Sequence, residues 1–175
     1  MRALRAISTL SMRLGWAAIV WVILAQGCAR SAPPPYIRVQ ADAPRLEEAP
    51  RARAHLVVFW AAWCPPCVTE APSLRDLARR PPDGVAVVTY SHDQRLGDAE
   101  RHLGSPADPG LHLRLDEGHV QAERFGVDAL PASFLVVGDQ VVARFNGPRD
   151  WNSAAMRRLL ERLVREASEP DLRGR

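Results

Sequence analysis

The sequence predicts an α/β domain, a mixed sheet covered by helices on both faces. Three observations carry this expectation. Short apolar runs rich in β-branched residues stand at 57–60, 85–90 and 133–137, separated by stretches of helical periodicity. The early strand–helix–strand order requires parallel neighbours, because a crossover helix returns the chain to the sheet in the same direction. Gly138-Asp139 between two later runs is a tight hairpin turn, which requires an antiparallel pair.

Taken in order, His55-Leu56 leads into a buried strand, Val57-Val58-Phe59-Trp60. The spacing of Leu74, Leu77 and Ala78 predicts a helix from Cys67 to Arg80, stopped by Pro81-Pro82. Val85 to Tyr90 is a second buried strand and Gln94 to Leu103 a second helix. Leu111, Leu113 and Leu115 alternate with His112 and Arg114, the pattern of an inserted short strand, and His119 to Phe125 follows as a short helix. Ser133 to Val137 and Gln140 to Phe145 form the hairpin. Trp151 to Ala167 closes the domain as an amphipathic helix with Met156, Leu159, Leu160 and Val164 on one face.

At 175 residues and 47% hydrophobic content, the chain can bury one core without help from disulfides or metals. Arg2, Arg5 and Arg13 carry as much positive charge as the formal net charge of the whole chain, +3. The basic balance is therefore a targeting feature, and with no basic, aromatic-rich cluster later in the chain, no nucleic-acid partner is expected. Three cysteines, Cys28, Cys64 and Cys67, are too few for a disulfide scaffold. No second cysteine or histidine pair stands at ligand spacing, so no metal site is expected. His55, His92, His102, His112 and His119 are scattered and read as surface or ordinary structural residues.

Residues 14–25 are an uninterrupted apolar run behind the arginines. The run is shorter than the about 20 residues of a spanning helix but suits a signal-peptide core. Gln26-Gly27-Cys28 follows and resembles a bacterial lipoprotein cleavage site, although Ala25 and Gln26 depart from its usual pattern. Either Cys28 becomes the lipidated first residue of the mature protein, or residues 14–27 remain as a signal anchor. Both readings tether the domain to a membrane and place it in the cell envelope, on the periplasmic or extracellular side. The expected organisation is a signal peptide or anchor over 1–27, a Pro-rich semi-rigid linker over 28–53, the folded domain over 54–168 and a C-terminal tail over 169–175. Within the linker, Tyr36 to Gln40 alternates in the manner of a short edge strand.

Trp63-Cys64-Pro65-Pro66-Cys67 falls between the first strand and the first helix. A Cys-x-x-Cys pair beside a βαβ pattern is a redox motif with a physical basis. At a helix N-terminus, Cys64 meets the positive end of the macrodipole, which favours the thiolate. The thiolate is the attacking species in disulfide exchange, and Cys67, one turn on, can reach the Cys64 sulfur and displace a mixed disulfide. Pro65 and Pro66 suit the first helical turn, where a missing N–H costs little. The other readings are half a metal site, whose other half is missing, and an inert disulfide, whose two-residue loop would restrain the unfolded chain little.

The stretch from Phe59 to Pro72, together with Leu115-Asp116-Glu117-Gly118 and Phe125 to Leu135, resembles the TlpA/ResA-type thioredoxin-like thiol–disulfide oxidoreductases over roughly residues 54–165. The resemblance implies a thioredoxin fold with a TlpA-type strand–helix insertion. It implies a cis Leu130-Pro131 peptide facing the disulfide, with the backbone before it pairing an extended substrate segment, and Trp63, Pro65 and Pro66 on the substrate surface. Glu70, one turn beyond Cys67, would handle the Cys67 proton. Thioredoxins carry an acid in the strand six residues before the first cysteine, where this chain has Val58. The implied activity reduces disulfides in protein substrates, such as apocytochrome or metallochaperone thiols. No cofactor beyond the Cys64–Cys67 pair is implied, and the electrons would come from a membrane thiol transporter. The alternatives are an oxidant that inserts disulfides into exported proteins and a non-catalytic binding lipoprotein of the same fold.

Overall fold

The computed structural model describes residues 35–46, 49–104 and 110–169. The arginine-rich leader, Cys28 and the last six residues lie outside the described residues. Six strands form one sheet in the order β1-β6-β5-β2-β3-β4. They are β1 (Ile37–Asp42), β2 (Ala54–Trp60), β3 (Val85–Ser91), β4 (Leu111–Leu115), β5 (Ala132–Val137) and β6 (Gln140–Asn146). The helices are α1 (Pro65–Arg79), α2 (Leu96–Leu103), α3 (Val120–Phe125), preceded by a 3-10 turn at Glu117–His119, and α4 (Ala154–Ser168). β2, β3 and β4 run parallel, while β5 pairs antiparallel with both β2 and β6. The mixed sheet expected from the crossovers and the hairpin is thus the one observed.

Alternation along β2 splits the core between the two faces. Leu56, Val58 and Trp60 join one cluster with Leu74 and Leu77 of α1, Leu103 of α2 and Met156, Leu159 and Leu160 of α4. Val57 and Phe59 join the other, with Tyr90, Phe125 of α3 and Phe134. Phe59 is the hub of the second face, with ring centroids 5.6 Å from Tyr90, 5.4 Å from Phe125 and 5.9 Å from Phe134. Burying one such ring contributes roughly 1.5–3 kcal/mol.

Several boundaries differ from the sequence reading, and two of them bear on the packing. Within the linker expected over 28–53, the edge strand read at Tyr36 to Gln40 is present as β1, which pairs antiparallel with β6 and so makes this stretch part of the folded domain. Downstream of it, Ala43, Leu46 and Ala49 pack on the aromatic face. The single helix α3 leaves part of that face uncovered, and these side chains close it, so proline content alone misjudges the stretch. The closing helix begins at Ala154 rather than Trp151, because the Ser153 side chain caps it by accepting the Met156 N–H at 3.3 Å. Trp151 instead lies before the helix, fully buried against Phe145.

One close approach explains a glycine. Gly110 has φ +87, and a Cβ there would stand 2.0 Å from the Ala78 carbonyl oxygen of α1. The chain entering β4 can pass the end of α1 only without a side chain.

Candidate active site

β2 delivers the chain to the site and a two-residue turn swings it into α1. The Ala62 N–H donates to both Asp93 carboxylate oxygens, at 3.0 and 3.1 Å, and Asp93 also accepts the Ser91 hydroxyl at 2.7 Å. Residues at the end of β3 thereby anchor the turn that precedes Cys64. The Trp60 indole, fully buried, donates to the Cys67 carbonyl at 2.8 Å and ties the end of β2 to the first turn of α1. Cys64 is the N-cap residue of α1, with Pro65 and Pro66 at its first two positions. The helix therefore starts two residues before the expected Cys67 and runs on through Pro72.

Cys64 and Cys67 are joined as a disulfide with Cα atoms 5.3 Å apart. Cys64 keeps 5% of its surface exposed, and Cys67 none. Cys64 lines a cleft of about 490 Å³ with Trp63, Pro65, His92, His119 and Leu130. Trp63 stands 65% exposed at its rim. The Leu130-Pro131 peptide is cis. Leu130 lines the cleft; Pro131 is buried, and its carbonyl accepts the Gly147 N–H at 2.9 Å. Pro66 is exposed at the start of α1 but does not line the cleft.

Behind the disulfide the chemistry changes. Glu70 shares the face of α1 that carries Cys67 and is only 2% exposed. Its Oε2 accepts the Trp151 indole N–H and the Arg149 backbone N–H, both at 3.0 Å, while its Oε1 is buried without a hydrogen-bond partner. Burial raises the Glu70 carboxyl from 4.5 to about 7, against the opposing pull of the Trp151 and Arg149 hydrogen bonds. Ser73 locks the same segment in place: its hydroxyl donates to the Glu70 carbonyl at 2.9 Å and accepts the Trp151 N–H at 3.1 Å. A carboxyl half-protonated near neutrality can take or give a proton beside Cys67.

The sequence reading identified the cysteines and Glu70 but not Asp93, Arg149, Trp151 or Ser73. Asp93 carried a weak signal, a polar residue two positions beyond the end of a buried parallel strand, where site residues gather. The histidines read as scattered are also brought together in part. His92 and His119 meet with ring centroids 4.3 Å apart and planes tilted by 42°, beside the buried Asp116. Burial and then His119 hold the His92 imidazole below its usual range, opposed by Asp116 and Asp93.

The family model for Redoxin matches residues 45–160. The chain belongs to the Redoxin family. This Redoxin domain is similar to the thiol:disulfide interchange protein HelX of Rhodobacter capsulatus, 32% identical over 94 residues, 53% of this chain and 52% of that protein. A DsbE homologue of Paracoccus denitrificans is 36% identical over 96 residues, covering 53% and 50%. The thiol-disulfide oxidoreductase ResA of Bacillus thuringiensis is 29% identical over 91 residues, covering 51% and 52%. The chain spans about half the length of these curated relatives. Among solved structures, it resembles a secreted disulfide oxidoreductase of Mycobacterium tuberculosis homologous to DsbE, with TM-score 0.50 and 25% identity over 65% of this chain and 81% of that one. The thioredoxin fold and the kinship with TlpA/ResA-type proteins, read from Phe59 to Pro72, Leu115 to Gly118 and Phe125 to Leu135, are thus borne out.

Proposed function

We propose that this chain is an extracytoplasmic thiol–disulfide oxidoreductase that reduces disulfides in protein substrates. The observation that carries the reading is the asymmetry of the Cys64–Cys67 pair: the first sulfur opens on a cleft, and the second is sealed beside a carboxyl titrating at about 7. The Cys64 thiolate attacks one sulfur of a substrate disulfide, and the other substrate sulfur leaves as a thiolate. Cys67 gives its proton to Glu70 and attacks the Cys64 sulfur, so the second substrate thiol departs. Two electrons pass to the substrate, and the enzyme is left as the disulfide. The pair carries the electrons itself, so no bound cofactor is required. Regeneration needs an external dithiol, for which a membrane thiol transporter is the proposed donor.

The charged leader and apolar run before Cys28 support tethering to a membrane, by a lipid on Cys28 or by an uncleaved anchor. The relatives' names, thiol:disulfide interchange protein and thiol-disulfide oxidoreductase, support protein thiols as substrates. Apocytochrome or metallochaperone thiols are the proposed class. An extended substrate segment would lie along the backbone before Pro131, between Trp63 and Leu130.

The test is a trapping experiment in the cell envelope. Cys67→Ser is expected to accumulate mixed disulfides with substrate proteins through Cys64, released by dithiothreitol. Cys64→Ser is expected to accumulate none. Equal trapping by both variants, or by neither, would overturn the assignment of the attacking sulfur.

A further inference from the structure

His92 lies directly after β3, while Asp116 precedes and His119 ends the 3-10 turn between β4 and α3. One ligand atom from each falls within 4.8 Å of the other two. Around a tetrahedral cation with bonds of about 2.0–2.2 Å, such atoms stand about 3.3–3.6 Å apart, so a small swing of the exposed His119 ring closes the set. Two of the three side chains, His92 and Asp116, are largely buried, with 11% and 2% of their surface exposed. The Asp116 carboxylate accepts the Gln121 and Ala122 N–H groups at 2.8 and 2.9 Å, which sets its orientation and leaves lone pairs free. His92 Nε2 is buried without a hydrogen-bond partner, 3.6 Å from Asp116 Oδ2, which is too long for a hydrogen bond. An orphaned imidazole nitrogen facing a carboxylate and a second imidazole is what a cation would satisfy.

We propose that His92, Asp116 and His119 form a binding site for a divalent transition-metal cation, of which Zn²⁺ is the representative, on the wall of the cleft that holds Cys64. Two imidazoles and one carboxylate are a zinc-type ligand set that leaves a fourth position for water or a substrate group. His92 and His119 line the same cleft as Cys64, so the bound cation adds positive charge where the substrate sulfur arrives. The site does not depend on the proposed thiol chemistry, because its ligands are present while the cysteines are joined as a disulfide.

The experiment is calorimetric titration of the full-length, detergent-solubilised chain with ZnCl₂, its cysteine pair oxidised. One Zn²⁺ per chain is expected, with affinity lowered at least tenfold by His119→Ala and by His92→Ala. His119 is exposed, so its substitution tests the site without disturbing the core. Three results would overturn the proposal: no binding to the oxidised chain, binding unchanged in both variants, or binding that appears only after the cysteines are reduced. The last would place the cation on the thiols instead.

Discussion

The two sides of the disulfide are built on opposite principles. In front of Cys64 the surface is open, with an exposed tryptophan, two histidines and the residue preceding the cis proline around a cleft. Behind Cys67 everything is sealed, and Glu70 is held by donors from a single short segment, Arg149 to Trp151. The open side leaves room for a substrate segment beside the Cys64 sulfur, as the proposed exchange requires. The closed side suits proton transfer, because desolvation brings a carboxyl to about 7, where it can exchange protons with a thiol. One helix N-terminus serves both, since Cys64 and Cys67 lie on either side of its first turn.

Breaking the open side at its reacting atom has the largest expected effect. Cys64→Ser abolishes reduction of a model protein disulfide such as insulin, measured as turnover with dithiothreitol as donor. Next comes the closed side. Glu70→Gln leaves the attack by Cys64 intact and slows release of the mixed disulfide by about 10²-fold, which rapid-quench alkylation would resolve. If attack and release slow equally, Glu70 does not act through Cys67.

Glu70 also imposes a pH dependence on stability. Its folded pKa of about 7 lies above 4.5, so the folded state binds more protons than the unfolded state between these values. The stabilisation is complete below pH 4.5, falls as pH rises to about 7, and then levels off. The contribution lost is on the order of 3 kcal/mol. Chemical denaturation of wild type and Glu70→Gln across that window should show the slope in the first and its removal in the second. Trp151→Phe takes one donor from the carboxylate while keeping most of the buried ring. It should cost about 1.5–3 kcal/mol at pH 8, and less at pH 5 where the carboxyl is protonated. The smallest effect on stability is expected at the rim. Trp63→Ala should change the denaturation midpoint by no more than about 0.5 kcal/mol while weakening substrate exchange, which separates recognition from folding.

Much of this division was legible in the chain. Continuous apolar runs located the central strands, which are buried on both faces, and alternation located β1 and β4. Cys-x-x-Cys at a strand–helix junction marked the open side, and Glu70 at one helical turn from Cys67 marked the closed one. What could not be read is what holds Glu70: Arg149 and Trp151 lie 79 and 81 residues away, and no local pattern records a contact at that separation. The same holds for His92 and His119, joined only by the parallel pairing of β3 with β4 and the turn that follows. β1 was visible as alternation, but its place in the sheet depended on β6, and the Leu46 and Ala49 contacts depended on a face that one short helix leaves bare.

The most direct test of the account is the redox equilibrium of Cys64–Cys67, measured by alkylation and mass shift after equilibration with graded ratios of oxidised to reduced dithiothreitol. The account predicts one reversible two-electron couple with a potential near thioredoxin's, about −270 mV. A potential near about −120 mV would reverse the proposed direction and mark a disulfide-forming oxidant. The absence of any reversible couple would contradict the account at its centre.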